Sequence, residues 1–177
     1  LTLAANNFTK IGYNFIKWAE GSASGAKYAA GGIYIFKKGV SEANNITMYA
    51  TWTAKPLKIY YNVNNGTLTK ETNGTYTADS SGFVLKNGSA YVQTVSGGSQ
   101  TGTSGLWNPD NSSEMHITKT GYIPKSGAEW NTNASGTGTS YNDSDVYTYD
   151  QLKTNATEES DIYRLNLYVN WTPNNYT

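Results

Sequence analysis

Few residues in this chain have the types and spacing that chemistry requires. The single histidine, His116, sits in Glu114-Met115-His116-Ile117. A nucleophile needs a base within hydrogen-bond reach, so His116 is a formal partner for one of the many Ser or Thr hydroxyls. It reads more readily as a half-exposed strand histidine, and no Gly-x-Ser-x-Gly elbow accompanies it. Paired carboxylates would suit glycoside hydrolysis. Glu129 beside Trp130, or Asp143 with Asp145, are the formal candidates, but Glu129 reads as a solvent-side neighbour of a core aromatic. Asn142-Asp143-Ser144-Asp145, followed by Asp150, alternates the oxygen ligands that Ca²⁺ accepts. The full twelve-residue loop with its central Gly and terminal Glu is missing, so an Asx-turn explains the run as well. Trp107 stands in Gly105-Leu106-Trp107-Asn108-Pro109, apart from every repeated pattern. It is the candidate for an exposed sugar-stacking platform, or else the cap of a core edge.

The elements that would position these groups read as strands. Ile46, Met48, Ala50 and Trp52 alternate with Thr47, Tyr49, Thr51 and Thr53, as Leu165, Leu167, Val169 and Trp171 alternate with Asn166, Tyr168, Asn170 and Thr172. Period-two alternation marks a strand with one buried face. Leu57, Ile59, Tyr61 and Val63 give another strand, closed by the turn signal Asn64-Asn65-Gly66. Gly82 to Leu85 and Tyr91 to Val95 read as a strand pair around Asn87-Gly88, and Ser96 to Gly105 as a loop. Helical signals are weak: single turns at Asn14 to Glu20 and at Tyr149 to Lys153. Lys37-Lys38 is the only adjacent basic pair and reads as a solvated strand end or turn.

The alternating strands belong to a pattern written twice. Gly12-Tyr13, Phe15 and Trp18 open the first copy, and Tyr49, Trp52 and Thr53 close it. Gly121-Tyr122 and Trp130 open the second, and Tyr168, Trp171 and Thr172 close it. Between them lie Gly25, Tyr28 and Tyr34 in one copy and Gly138, Tyr141 and Tyr147 in the other. Internal repetition implies modular architecture. Pro56, which stiffens the connection after the first copy, marks the boundary.

The Gly-Tyr-x-Phe-x-x-Trp opening and the Tyr-Ala-x-Trp-Thr closing strand resemble the Listeria–Bacteroides repeat, the internalin B-type B repeat of bacterial surface proteins. Ile59-Tyr60-Tyr61-Asn62-Val63-Asn64-Asn65-Gly66 is similar to that family's opening strand and turn. The second copy departs from the pattern at Ile123-Pro124 and by three extra residues between Gly121 and Trp130. The resemblance implies small β-grasp-like modules in tandem on secreted or wall-attached proteins, serving as spacers or adhesive stalks with no catalytic residues to carry over.

Composition narrows the remaining classes. Thirteen basic and thirteen acidic residues cancel, which argues against nucleic acid or an anionic membrane as partner. Ile, Leu, Val and Phe make up less than a fifth of the chain, a flag for disorder. Zero net charge with 15 Tyr and 5 Trp argues instead for a small aromatic core. No cysteine is present, so neither disulfides nor cysteine metal sites exist.

The expectation is therefore a mainly β (β-rich α+β) chain. A partial module spans 1–54, a complete one spans 56–172 with an insert at about 67–114, and 173–177 form a linker. The expected role is a non-catalytic repeat of a bacterial cell-surface or secreted protein, extracellular and wall-associated, with no cofactor, metal or membrane insertion. Its expected partners are neighbouring modules and a host or cell-surface protein or glycan. The alternative is a glycan- or protein-binding module using exposed aromatics such as Trp107. Nothing before Phe8 resembles Ile59-Tyr60-Tyr61, so the first module should show an unpaired sheet edge, covered by a neighbour or by Leu1-Thr2-Leu3.

Overall fold

The computed structural model describes residues 1–36, 45–71, 75–96, 103–109 and 115–175. The chain is mainly β, with several small sheets and, among the described residues, no barrel. It divides into two compact units, Leu1–Lys55 and Pro56–Thr177. Lys37-Lys38, and residues 97–102 of the loop read at Ser96 to Gly105, lie outside the described residues.

In the first unit β1 (Tyr13–Glu20) is flanked by β2 (Lys27–Tyr28) and β3 (Met48–Ala54), both antiparallel to it. The segment read as a possible helical turn, Asn14 to Glu20, is thus strand. A register shift between Phe15 and Lys17 breaks its alternation. This β-bulge lets Phe15 and Trp18, three positions apart, share one face, where their rings meet at 5.3 Å. Leu1-Thr2-Leu3 does not cover the edge of β3. It runs beside Gly32–Tyr34, with the Tyr34 and Leu3 amides donating to the Leu1 and Gly32 carbonyls at 2.8 Å. Leu3, Trp18 and Tyr34 form the core of this unit.

The second unit opens with β4 (Leu57–Asn62) and β5 (Thr67–Glu71), then β6 (Tyr76–Ala78), β7 (Val84–Lys86), β8 (Ser89–Ala90) and β9 (Val92–Val95). It continues through β10 (Thr103–Gly105), β11 (Met115–Thr118), β12 (Tyr122–Pro124), β13 (Trp130–Asn131), β14 (Ser140–Tyr141) and β15 (Val146–Thr148). The helical turn α1 (Tyr149–Lys153), β16 (Thr157–Glu158), β17 (Tyr163–Val169) and β18 (Trp171–Pro173) complete it.

The main sheet runs β14-β13-β17-β4-β9, with β16 also on β17. At its centre β4 and β17 pair in parallel, Leu57 opposite Tyr163 through Asn62 opposite Tyr168. Leu57, Ile59, Tyr61, Leu165 and Leu167 are all buried along this seam. Thr148 caps α1 through a reciprocal capping box with Gln151, which stabilises so short a helix.

The insert read at 67–114 is woven into the unit. β5 pairs with β11, and β9 forms the edge of the main sheet against β4. The expected pairing of the two apolar islands is corrected: β7 pairs with β6 and β8, and β9 pairs elsewhere. Asn87-Gly88 does turn the chain between β7 and β8, with φ of 51° and 78°. Pro124 pairs with Trp171 on the two-stranded β12-β18 ribbon, where a missing N–H is tolerated. Pro173 belongs to β18 and is not part of a linker.

Asparagines tie the loops to this frame. Asn131, fully buried, accepts hydrogen bonds at Oδ1 from the Asn133 and Gly138 amides at 2.9 and 3.0 Å. Its Nδ2 donates to the Gly136 and Gly138 carbonyls and to Ser140 Oγ. An unsatisfied buried polar group costs about 1–3 kcal/mol. Asn131→Ala should therefore lower the stability of this unit by about 3 kcal/mol, read as the shift of its urea midpoint. A loss below about 1 kcal/mol would show that water replaces the amide.

Candidate functional site

The duplicated pattern builds the same local frame in both units. Trp18 lies opposite Tyr28 on one side and Ala50 on the other. Trp130 lies opposite Tyr141 and Val169 in the same way. Each indole N–H donates to a backbone carbonyl, of Ala4 at 3.0 Å and of Trp107 at 2.6 Å. Tyr28 and Tyr34 meet edge to face at 5.2 Å, and Tyr141 and Tyr147 do so at 5.1 Å. Gly25 and Gly138 occupy matched crowded turns: a Cβ would run into the Glu20 carbonyl in one and Thr132 Oγ1 in the other. The pattern's residues therefore specify packing.

Around this frame the copies diverge. In the first unit Glu20 accepts from Tyr28 and Tyr34 hydroxyls at 2.9 and 3.0 Å. The bond to Glu20 raises the Tyr28 pKa; burial followed by the same carboxylate raises that of Tyr34. In the second unit Asn155 donates to the Tyr141 hydroxyl at 2.7 Å, and Tyr147 holds the Asn142 backbone. Sequence reasoning missed these hydrogen-bond partners, because they come from outside the repeated motif.

Trp107 is not an exposed platform. It is 8% exposed and packs against Tyr61, Tyr91 and Trp130, with centroids at 5.6, 6.2 and 5.6 Å. Its amide donates to the Tyr61 hydroxyl at 3.2 Å, and Tyr61 donates in turn to Gln93. Burial pushes the Tyr61 pKa far up, so the hydroxyl stays protonated and keeps donating. The ring fills the second unit's core from a strand-less segment, which is why no periodicity announced it.

No family model, curated protein or solved structure matches this chain. The remaining chemical candidates are judged on their geometry. His116 is half-buried on β11. Glu129 is a structural tie: its carboxylate oxygens accept from the Gly127 and Asp143 amides at 2.6 and 3.2 Å. Asn142 Oδ1 accepts from the Ser144 amide at 2.9 Å, closing an Asx-turn. Ser144 Oγ donates to Asp143 Oδ1 at 2.9 Å, and the Asp145 amide donates to the Asn142 carbonyl. Among the described residues no three His, Asp or Glu side chains gather as a metal site. Nor, among them, is any helix long and apolar enough to cross a membrane.

Surface clefts remain on both units. On the first unit an aromatic trough of about 440 Å³ is lined by Phe8, Trp18, Met48, Tyr49 and Trp52. On the second, a polar cleft of about 410 Å³ lies between the Asn64-Asn65 turn and the Asp79–Gly82 turn.

Proposed function

We propose that this chain is a repeat segment of a bacterial cell-surface or secreted protein, working as a spacer or adhesive stalk without catalysis of its own. The observation that carries the reading is the duplicated frame, Trp18 with Tyr28 and Ala50 against Trp130 with Tyr141 and Val169. A chain that spends its repeated residues on packing two units is built to extend. The resemblance to the B-type repeats supports the same role. The parallel β4–β17 pair, whose connection includes α1, supports a β-grasp-like module. In this role the neighbours are further modules, the distal partner is a host or cell-surface protein or glycan, and the location is the bacterial exterior.

Stretching single molecules tests the reading. Units of 55 and 122 residues should release separately, with contour increments of about 19 and 43 nm. Extension without two discrete rupture events would remove the stalk function, because neither unit would then bear load.

A further inference from the structure

We propose that the polar cleft of the second unit binds a neutral saccharide. This goes beyond the stalk reading and does not depend on it. The cleft is formed where the turn after β4 faces the turn between β6 and β7, with Tyr168 of β17 on its wall.

The walls are held rigidly. The buried Asn62 spans both turns: Nδ2 donates to the Ser81 carbonyl at 2.8 Å, and Oδ1 accepts from the Asn64 amide at 2.8 Å. The Val63 amide donates to the Gly82 carbonyl at 2.9 Å. Gly82 is required there, because its φ is +85° and a Cβ would lie 2.9 Å from Asn62 Oδ1. Asn64 Nδ2 donates to the Ala134 and Val169 carbonyls at 2.7 and 2.9 Å, fixing the first turn to the frame. Pre-organised walls of this kind lower the ordering cost of binding.

The same bonds leave a second set of atoms unspent. Asp79 Oδ1 accepts from the Ser81 and Phe83 amides at 2.8 and 2.9 Å, while Oδ2 has no partner among the described residues. Asn64 Oδ1, the Asn65 amide, the Ser80 and Ser81 hydroxyls and the Tyr168 hydroxyl are likewise uncommitted among them. Phe83 supports the Tyr168 ring, with centroids 6.1 Å apart.

These groups select a ligand class. Among the described residues no Lys or Arg lines the cleft, so phosphates and carboxylates find no counter-charge among them. Asp79 is the single carboxylate among the described lining residues, so little negative charge is present to offset the dehydration of a divalent cation. The polar lining offers little to an apolar ligand. A sugar ring presents adjacent hydroxyls that both donate and accept, and an apolar C–H face. One acceptor-only oxygen, several amide and hydroxyl groups and one tyrosine meet those needs, and the volume suits a small ligand.

The test is a titration of the ¹⁵N-labelled full chain with glucose, galactose, mannose and N-acetylglucosamine. At least one should produce saturable amide shifts confined to 62–66, 79–83, 134 and 168. The dissociation constant should be on the order of 1 mM, as expected for a ligand of a dozen atoms. Asp79→Asn keeps an oxygen for both turn amides but loses the second carboxylate oxygen of this lining residue, and should weaken binding about 10-fold. Asn65→Gly preserves the left-handed turn, removes only the amide, and should weaken binding about threefold. No saturable shifts with any of the four sugars, shifts confined to other residues, or unchanged affinity in either folded variant would overturn the proposal. None of these results would alter the two rupture events on which the stalk reading stands.

Discussion

Replacing Trp107 by Ala should cost the second unit about 3–5 kcal/mol, the range for emptying a buried tryptophan site. A stability of about 5–15 kcal/mol is ordinary for a domain, so the loss would remove a large share of this unit's stability. Chemical denaturation followed by circular dichroism measures it without relying on the removed fluorophore. The cause is specific: the indole touches Tyr61, Tyr91 and Trp130 at once, so its removal leaves a cavity bounded by three rings. Trp107→Phe should behave differently. Trp107 Nε1 is buried with no acceptor among the described residues, and Phe removes that unsatisfied donor while retaining a ring. The relief of about 1–3 kcal/mol opposes the lost volume, so the Phe variant should stay within about 1 kcal/mol of the parent. An exposed platform would give a small loss for both substitutions, within about 0.5 kcal/mol. That outcome would remove Trp107 from the core.

Strands whose pattern is local were legible in the sequence. The alternation at Leu165–Val169 and Leu57–Val63 placed the two central strands, and Asn64-Asn65-Gly66 placed a turn whose asparagines have φ of 47° and 62°. The capped turn at Tyr149–Lys153 was legible too. What failed to show was whatever depends on residues far apart. Trp107 is buried by partners 46 and 23 positions away. β9 pairs with β4 across an excursion through β5 to β8, while the local signal favoured a hairpin with its neighbour. The β1 bulge destroyed the alternation that would have named a strand. The cleft was invisible for the same reason: Asn62, Asp79 and Tyr168 meet only after folding, and each looks like ordinary polar composition in isolation.

The two copies of the frame should differ most in amide hydrogen exchange. Their registers align Ala50 with Val169, and therefore Thr47, Met48 and Tyr49 with Asn166, Leu167 and Tyr168. β17 lies between β13 and the parallel β4, so both of its edges are hydrogen-bonded. β3 pairs with β1 alone among the described residues. Burial follows pairing: Leu165, Leu167 and Val169 are 1, 0 and 0% exposed, whereas Ile46, Met48 and Ala50 are only half-buried. Opening free energies in one protein range from near zero at unsupported edges to the global stability in core strands. Within Thr47–Ala50, the amides pointing away from β1 should thus exchange at least about 10³-fold faster than their counterparts in Asn166–Val169. Time-resolved exchange on the full chain reads both strands in the same sample, so solvent and temperature cancel. Comparable protection at matched positions would mean that something covers the outer edge of β3. Fast exchange there would establish that one repeated motif supports a closed frame in one unit and an open one in the other. It would also locate the cause in β4, the strand that the first unit lacks among its described residues.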